Sequence, residues 1–337
     1  DFFSPMTAEE TKQGDVPKSK RPKSGPFYQQ ELAAWQPILT PNWVIGIFVS
    51  IGVLFIAIGI PLKVASDDVV EYEVQYDGSG TPTTNSGCQL SPTLNKTTCT
   101  VTFQVTEKME QPIYLYYQLE NFYQNHRRYV QSRSDAQLRG DIESGGALND
   151  CDPLTDGPAG TVRNPCGLIA GSFFNDTFVL QASGLTMLET DIAWDSDVND
   201  KFENPDNLEL SSQYYLYQMY PEVINKTKNV EDEHFIVWMR TAALPTFRKL
   251  YGRIEQDIPA GTTIQFDVTA RFRVDPFDGK KSLVLSTTSF MGGKNSFLGI
   301  AYLAVGSICI FLGLVFTLKQ IISPRKLGDA RSLEWAN

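Results

Sequence analysis

Few residues in this chain are placed to do covalent chemistry. Of its 337 residues only two are histidines. His234 follows Glu231, Asp232 and Glu233, a run whose residue types would suit a metal or a proton-transfer step. No second histidine lies near it and no spaced Cys/His ligand set accompanies it, so the run reads as a solvated acidic turn. His126, in Asn125-His126-Arg127-Arg128, reads as a structural or interface residue. Met291-Gly292-Gly293-Lys294 lacks the spacing of a phosphate-cradling loop, and no Gly-x-Ser-x-Gly elbow occurs. The residues with usable chemistry are instead targets of modification and oxidation. Three sequons stand at Asn95-Lys96-Thr97, Asn175-Asp176-Thr177 and Asn225-Lys226-Thr227. They are N-glycan acceptors if that part of the chain enters the secretory lumen.

Two uncharged stretches explain how it would get there. Trp43–Leu62 and Phe297–Leu318 contain no Asp, Glu, Lys, Arg or His, and each is about 20 residues, enough to cross a hydrocarbon core. The expected organisation is a tail over 1–42, a membrane helix over 43–62, a large domain over 63–296, a second membrane helix over 297–318 and a tail over 319–337. Two spans put both termini on one side of a membrane. All three sequons lie between the spans, as do Cys88, Cys99, Cys151 and Cys166, whereas Cys309 lies inside the second span. Four cysteines in an oxidising compartment imply two disulfides with three possible pairings, and proximity favours Cys88–Cys99 and Cys151–Cys166. Lys18, Lys20, Arg21 and Lys23 before the first span, and Lys319, Arg325 and Lys326 after the second, fit cytoplasmic tails. No signal peptide precedes Trp43, so the first span is expected to be an uncleaved anchor. The formal charge of the whole chain is −10 and its acidity resides in the middle segment (66–296, 19 basic against 32 acidic residues), which argues against nucleic acid as a partner.

Towards the membrane midplane the spans offer only Ser50, Ser307 and Cys309, too few to replace the hydration of a transported solute. They do carry glycine at a seven-residue spacing: Gly52 and Gly59 in the first, Gly299, Gly306 and Gly313 in the second. Each set lines one helical face where another helix can approach closely, either the sister span or a helix of another protein. Cys309 is expected to be a small packing residue. In the N-terminal tail Tyr28, Leu32 and Trp35 share a helical face before Pro37; that face either lies on the membrane surface or docks on a partner.

The middle domain alternates as strands do in Val69–Tyr76, Thr100–Val105, Ile113–Tyr117 and Thr263–Val274, with turn clusters between. Tyr123–Leu138 and Leu208–Tyr217 have helical spacing. The expectation is a two-pass α-helical membrane protein with a large, mainly antiparallel β (α+β) extracytoplasmic domain. Residues 81–98 are expected to form an exposed glycosylated excursion.

Longer blocks carry a resemblance. Arg21-Pro22-Lys23, Phe27-Tyr28-Gln29-Gln30-Glu31-Leu32 and Ala34-Trp35-Gln36-Pro37-Ile38-Leu39-Thr40 stand in the tail. Asn121-Phe122-Tyr123-Gln124-Asn125-His126-Arg127-Arg128-Tyr129, Pro165-Cys166-Gly167-Leu168-Ile169-Ala170 and Phe174-Asn175-Asp176-Thr177-Phe178 stand in the domain. Trp238-Met239-Arg240-Thr241-Ala242-Ala243-Leu244-Pro245-Thr246-Phe247-Arg248-Lys249-Leu250-Tyr251 follows, and Gly292-Gly293-Lys294-Asn295 leads into the second span. By these blocks the chain resembles, nearly end to end, the accessory (beta) subunits of type IV P-type ATPases, the lipid flippases, the family of cell-cycle control protein fifty. Gly171-Ser172-Phe173 and Asp191-Ile192-Ala193-Trp194 depart slightly from the family pattern.

The resemblance implies a non-catalytic subunit with no cofactor of its own. ATP and magnesium would be bound by a ten-span catalytic partner, in a heterodimer that moves membrane phospholipid to the cytoplasmic leaflet. It also implies passage from the endoplasmic reticulum to the Golgi, endosome or plasma membrane. Because interface hot spots favour aromatics and arginine, the expected partner contacts are Phe122, Tyr123, His126, Arg127, Arg128, Arg240, Phe247, Arg248 and Trp35, the alternative being that many of these, Phe122 and Tyr123 foremost, knit the core of the domain. A free-standing lumenal receptor or lipid-binding membrane protein is the alternative.

Overall fold

The computed structural model describes residues 25–28, 32, 40–182 and 184–324. In chain order the elements are α1 (Pro41–Asp67), β1 (Glu71–Gly78), β2 (Thr97–Gln104), β3 (Ile113–Glu120), α2 (Arg127–Gln131), α3 (Asp135–Leu138), β4 (Val162–Asn164), α4 (Leu168–Gly171) and β5 (Thr177–Gln181). They continue with β6 (Met187–Leu188), α5 (Asp195–Asp200), β7 (Gln213–Tyr215), α6 (Leu216–Met219), α7 (Glu233–Met239), β8 (Phe247–Ile254), β9 (Thr263–Ala270), β10 (Lys280–Ser286) and α8 (Phe297–Ile322).

Among the described residues, α1 and α8 are the two helices long and apolar enough to cross a membrane. Both outrun their uncharged stretches, because helix hydrogen bonding continues into the flanking polar residues. Pro41, whose missing N–H costs nothing in a first turn, opens α1, and the Thr40 hydroxyl accepts from the Trp43 amide at 3.4 Å. The Asn295 side chain accepts from the Phe297 amide at 3.0 Å and caps α8.

The chain forms two compact units. One holds the N-terminal part of α1 and the C-terminal part of α8, where the Phe48 and Phe316 rings lie 5.7 Å apart. The other runs from Gly52 to Ile308 and contains the rest of both helices with the whole intervening domain. Within it the ends of α1 and α8 are tied together. Ser66 Oγ accepts from the Asn295 amide at 3.0 Å, and Ser296 Oγ donates to Asp67 at 3.1 Å.

The domain is built on two antiparallel sheets. Five strands run in the order β1-β10-β3-β8-β6 and three in the order β2-β9-β5. Period-two patterning decides the faces: Ile264, Phe266, Val268 and Ala270 of β9 are buried, while Thr263, Gln265 and Asp267 between them are exposed. The inner faces meet through Tyr76 on Phe178 (6.0 Å) and Phe178 on Tyr251 (4.7 Å), while Phe103 and Phe266 of the neighbouring strands β2 and β9 lie 5.9 Å apart within the smaller sheet. Edge-to-face rings of this kind add to the burial energy.

A charged pin runs through this core. The Lys281 ammonium, 0% exposed, reaches Asp176 at 2.8 Å and Asp77 at 3.1 Å and donates to the Phe272 carbonyl at 2.6 Å. Asp176 also accepts from the Tyr76 hydroxyl at 2.9 Å and from the backbone amides of Arg271 and Phe272 at 2.5 and 2.6 Å. Burial and the Asp176 charge push the Tyr76 phenol well above its ordinary pKa.

Three local expectations change. Tyr123–Leu138 is not one helix: it breaks at Ser132–Ser134 into α2 and α3, and the Ser134 hydroxyl caps α3 by accepting from the Gln137 amide at 3.2 Å. Gly167 (φ +101°) packs against the break, where a Cβ would stand 2.1 Å from the Ser132 carbonyl oxygen. Leu208–Tyr217 is not helical either, because Gln213–Tyr215 pairs as β7 with β4, a partner invisible to local spacing. Residues 81–98 are not all an exposed excursion. Cys88, Leu90 and Asn85 are buried, and Asn85 donates to the Gln75 carbonyl at 2.9 Å, docking the segment on β1.

Truncating Lys281 to Ala strands two carboxylates in the core. The expected loss is about 3–5 kcal/mol, the cost of breaking a buried ion pair from one side. Denaturant unfolding of the detergent-solubilised protein measures it, and a wild-type midpoint would rule out the pin as a major contributor.

Candidate partner-binding surfaces

Asn121 to Tyr129 forms a brace against the segment that follows α7. Asn121, at φ +62°, donates from its side-chain amide to the Phe277 carbonyl at 2.6 Å, and the Phe122 amide donates to the Pro245 carbonyl at 3.1 Å. Gln124 accepts from the Ala242 amide at 2.8 Å, and Asn125 donates to the Ala243 carbonyl at 2.9 Å. This backbone turns Phe122 inward. Its ring lies 5.3–6.3 Å from those of Tyr129, Trp238, Phe247, Phe272 and Phe277. Phe247, 8% exposed, belongs to the same pile. The reading of Phe122 and Phe247 as exposed anchors is therefore corrected: the brace turns the first into the core and strand alternation points the second there. Tyr123, one residue on, is 58% exposed. His126, Arg127 and Arg128 are exposed at the start of α2, and neither arginine has a carboxylate partner among the described residues.

Arg248 is also corrected as a free contact. Its guanidinium crosses the outer face of the larger sheet to Glu71 at 2.7 Å and Glu73 at 3.5 Å, while its Nε donates to Gln118 at 2.7 Å. It is a strut tying β8 to β1. The acidic run before His234 is likewise not a solvated turn. Asp232 caps α7 by accepting from the His234 amide at 3.0 Å, and Glu233 accepts from the Ile192 and Ala193 amides at 2.7 and 3.1 Å. His234 itself stacks 4.4 Å from the Tyr251 ring and meets Glu189 at 3.1 Å.

Arg240 stands at the mouth of a real cleft. Its Nε donates to Asp197, which also takes Lys201 at 2.6 Å, and its guanidinium lies 5.2 Å from the centre of the Trp194 ring. Trp194 is 67% exposed. The cleft, of about 540 Å³, has Arg133, Arg139 and Lys201 on its walls and Leu138, Ile236 and Met239 on its floor. Asp135, paired with Arg133 at 2.9 Å, and Asp197 are two carboxylates against the four cations Arg133, Arg139, Lys201 and Arg240, which leaves this surface positive, and both Trp and Arg are enriched at interface hot spots. Arg240 thus remains available in part. Trp194 and Asp197 were missed from sequence, because a Trp among aspartates carries no distinguishing spacing. Behind Arg240, Lys249 donates to the Val237 carbonyl at 3.0 Å and to the Arg240 carbonyl, closing the end of α7; burial lowers its amine to about 8.

The helix glycines face the sister span. In the larger unit, a Cβ at Gly59 would meet Leu303 at 3.0 Å, one at Gly299 the Lys63 backbone at 2.8 Å, and one at Gly306 the Gly52 carbonyl at 3.1 Å. In the smaller unit, a Cβ at Gly313 would meet Val49 at 2.9 Å. Such close approach is how apolar helices gain contact without a hydrophobic drive between them. Cys309 is a half-buried free thiol in α8. The disulfides are Cys88–Cys99 and Cys151–Cys166, with Cα atoms 5.2 and 5.6 Å apart. Asn95 and Asn225 are exposed and Asn175 is half-buried. Trp35 lies outside the described residues. No group of three or more potential metal ligands occurs among the described residues.

These features define a two-span membrane protein carrying a disulfide-bonded β-sandwich whose notable surfaces suit binding. The chain belongs to the LEM3 (ligand-effect modulator 3) family, also called the CDC50 family, whose profile matches residues 62–326. It is 48% identical over 325 residues to ALA-interacting subunit 3 of Arabidopsis thaliana, covering 94% of this chain and 91% of that protein. Cell cycle control protein 50A of Bos taurus is 43% identical over 330 residues, 90% of each chain. Phospholipid-transporting ATPase accessory subunit LEM3 of Saccharomyces cerevisiae is 33% identical over 364 residues, 94% of this chain and 88% of that protein.

Asp197 makes the cleft pH-sensitive in a defined direction. The Arg240 guanidinium, and with it Lys201, holds its carboxyl below the ordinary range against the opposing effect of burial. A folded-state pKa below the unfolded value contributes stability above about pH 4 that is lost as pH falls through the folded value. Asp197→Asn should cost about 1–2 kcal/mol at pH 7, modest because Arg240 and Lys201 are half-exposed and screened. The deficit should close in unfolding midpoints taken below pH 4; a pH-independent deficit would point to packing instead.

Proposed function

We propose that this chain is the non-catalytic accessory subunit of a phospholipid-transporting P-type ATPase. The observation that carries the reading is 33% identity, over 88% of its length, to a yeast protein named as such an accessory subunit. The chain's own chemistry supports it. The polar groups of α1 and α8 are too few to line a lipid path, and glycine packing between the two spans leaves their large apolar side chains for lipid or further helices. The domain offers exposed Tyr123, Arg127, Arg128, Arg240 and Trp194 as contacts.

In this reading the middle domain is extracytoplasmic and both tails are cytoplasmic. The disulfides, the sequons and the basic residues flanking the spans support that orientation. The subunit stabilises the folded catalytic chain by binding it, accompanies it out of the endoplasmic reticulum towards the Golgi, endosome or plasma membrane, and supports phospholipid movement to the cytoplasmic leaflet. ATP and magnesium belong to the partner.

Affinity purification of the chain from mild-detergent extracts tests this directly. A near-stoichiometric, larger P-type ATPase that forms an acyl-phosphate with ATP is expected; recovery of the folded chain alone would overturn the reading. Within the same assay, Arg127→Ala with Arg128→Ala should lower partner recovery about tenfold, or about 1.4 kcal/mol, without changing the unfolding midpoint. Undiminished recovery would remove the start of α2 from the interface.

A further inference from the structure

Three short helices end at one cleft, and each ends on a cation. Arg139 is the C-cap of α3, Lys201 of α5 and Arg240 of α7, and all three line the same space of about 540 Å³. Arg133, just before α3, adds a fourth cation. Two lining carboxylates stand against them: Asp135 takes Arg133 at 2.9 Å, and Asp197 takes Lys201 at 2.6 Å together with Arg240. Arg139 is exposed and makes no ion pair among the described residues. Arg240 engages Asp197 through Nε, which leaves its two Nη groups to donate elsewhere beside the Trp194 ring. Below the charges, the side chains of Leu138, Phe202, Ile236 and Met239 are buried and apolar. A cation at a helix C-terminus steadies that helix. Capping accounts for each cation singly, but not for three helices delivering theirs to one space.

Strand register places the cleft away from the spans. β1 begins four residues after α1 ends, and its eight residues extend about 25 Å. At its far end Gly78 lies opposite Lys280, Lys280 lies opposite Glu120, and the adjacent Leu119 lies opposite Phe247, the first residue of β8. Lys249, two residues on, donates to the Arg240 carbonyl and so holds the end of α7 at that far end. A ligand therefore reaches the cleft from water. Phosphate sites are commonly built from backbone amides at helix N-termini, whereas Lys201 and Arg240 mark the C-terminal ends of α5 and α7. The donors are long side chains carried by separate elements, and guanidinium forks match carboxylates as well as phosphates. Charges spread in this way suit several carboxylates spaced along a chain better than one compact phosphate. The apolar floor suits an aliphatic or aromatic side chain between them, and the volume falls in the range of about 300–1,000 Å³ usual for ligand pockets.

We propose that this cleft binds an acidic peptide segment, with its carboxylates on Arg133, Arg139, Lys201 and Arg240 and an apolar side chain on the floor. Trp194, stacked on Arg240, stands at the mouth and supplies an aromatic face to the same segment. The rest of the domain repels such a segment, because residues 66–296 carry 32 acidic against 19 basic side chains. Capture is thus confined to the one place where four cations outnumber two carboxylates. The site uses this chain's residues alone and goes beyond the accessory-subunit reading.

The test titrates the full detergent-solubilised chain, free and in its purified complex, into a dye-labelled peptide Glu-Asp-Leu-Glu-Phe-Asp capped at both ends. Fluorescence anisotropy should show saturable binding to the free chain. Arg139→Glu should weaken it about tenfold without moving the unfolding midpoint, whereas Arg127→Ala with Arg128→Ala, outside the cleft, should leave it unchanged. A peptide with Gln and Asn in place of its acids should not bind, and one with Ser in place of Leu and Phe should bind about tenfold more weakly. Inorganic phosphate at the peptide's concentration should not compete. Lack of saturable binding, equal binding by the R139E chain or by either altered peptide, an equal loss in the α2 double variant, or displacement by phosphate would each overturn the proposal. Binding by the complex as well as the free chain upholds the cleft and places the natural segment on a further protein; binding by the free chain alone upholds it and places the segment on the catalytic subunit. If no ATPase accompanies the wild-type chain, the accessory-subunit reading fails, while the free-chain titration still decides the cleft.

Discussion

The ammonium of Lys281, buried between Asp176 and Asp77, is the constraint on which the rest of the domain depends. Lys281 belongs to β10 and Asp77 to β1, both in the larger sheet, while Asp176 immediately precedes β5 of the smaller one. Apolar faces alone would hold two sheets together but tolerate sliding, because dispersion and burial are not directional. A charge that must be matched inside a core tolerates one alignment. The same carboxylate receives the amides of Arg271 and Phe272 and so fixes where β9 ends and the return to β10 begins. That alignment also brings the ends of β2 and β5 to one corner, where Arg271 and Glu222 gather the neighbouring loops.

From this frame the surfaces follow. The brace from Asn121 to Tyr129 needs a rigid wall of Trp238, Phe247 and Phe272, and those rings are held by strands β8 and β9 and by the Trp238 indole, which donates to the Ile169 carbonyl at 2.8 Å. With Phe122 spent on the wall, its neighbours Tyr123, Arg127 and Arg128 are left outside. Arg240 is similarly placed by what lies behind it: Lys249 closes the end of α7 so that the chain exits past Asp197 and Trp194. The positive cleft is thus a by-product of helix termination, available to an acidic contact without any reorganisation of the core.

Much of this was legible beforehand. The spans needed only absence of charge over membrane length, and the strands β1, β2, β3 and β9 needed only alternation. The blocks around Asn121 and Trp238 carried the family resemblance. Less legible was which member of each block faces out. Phe122 and Tyr123 are adjacent aromatics with opposite fates, and nothing in their local composition separates them. Gln213–Tyr215 has helical neighbours in sequence yet pairs with Val162–Asn164, some fifty positions earlier. Arg248 has the composition of a hot spot and the geometry of a strut. In each instance the deciding partner is distant in the chain.

Sequence by itself determined that the chain crosses a membrane twice and holds four of its five cysteines and all three sequons between the spans. These are properties of composition and local period, set by the cost of placing charge in hydrocarbon and by the geometry of single helices and strands. Only the tertiary structure decided that the span glycines face the sister span, that Phe247 is internal while Arg248 is tied down on the outer face of the larger sheet, that Arg240 lines a cleft beside Trp194, and that Arg271 and Glu222 gather the ends of β2 and β5 at one corner. Those outcomes depend on strand register and on pairing between residues up to about two hundred positions apart, which no local pattern encodes.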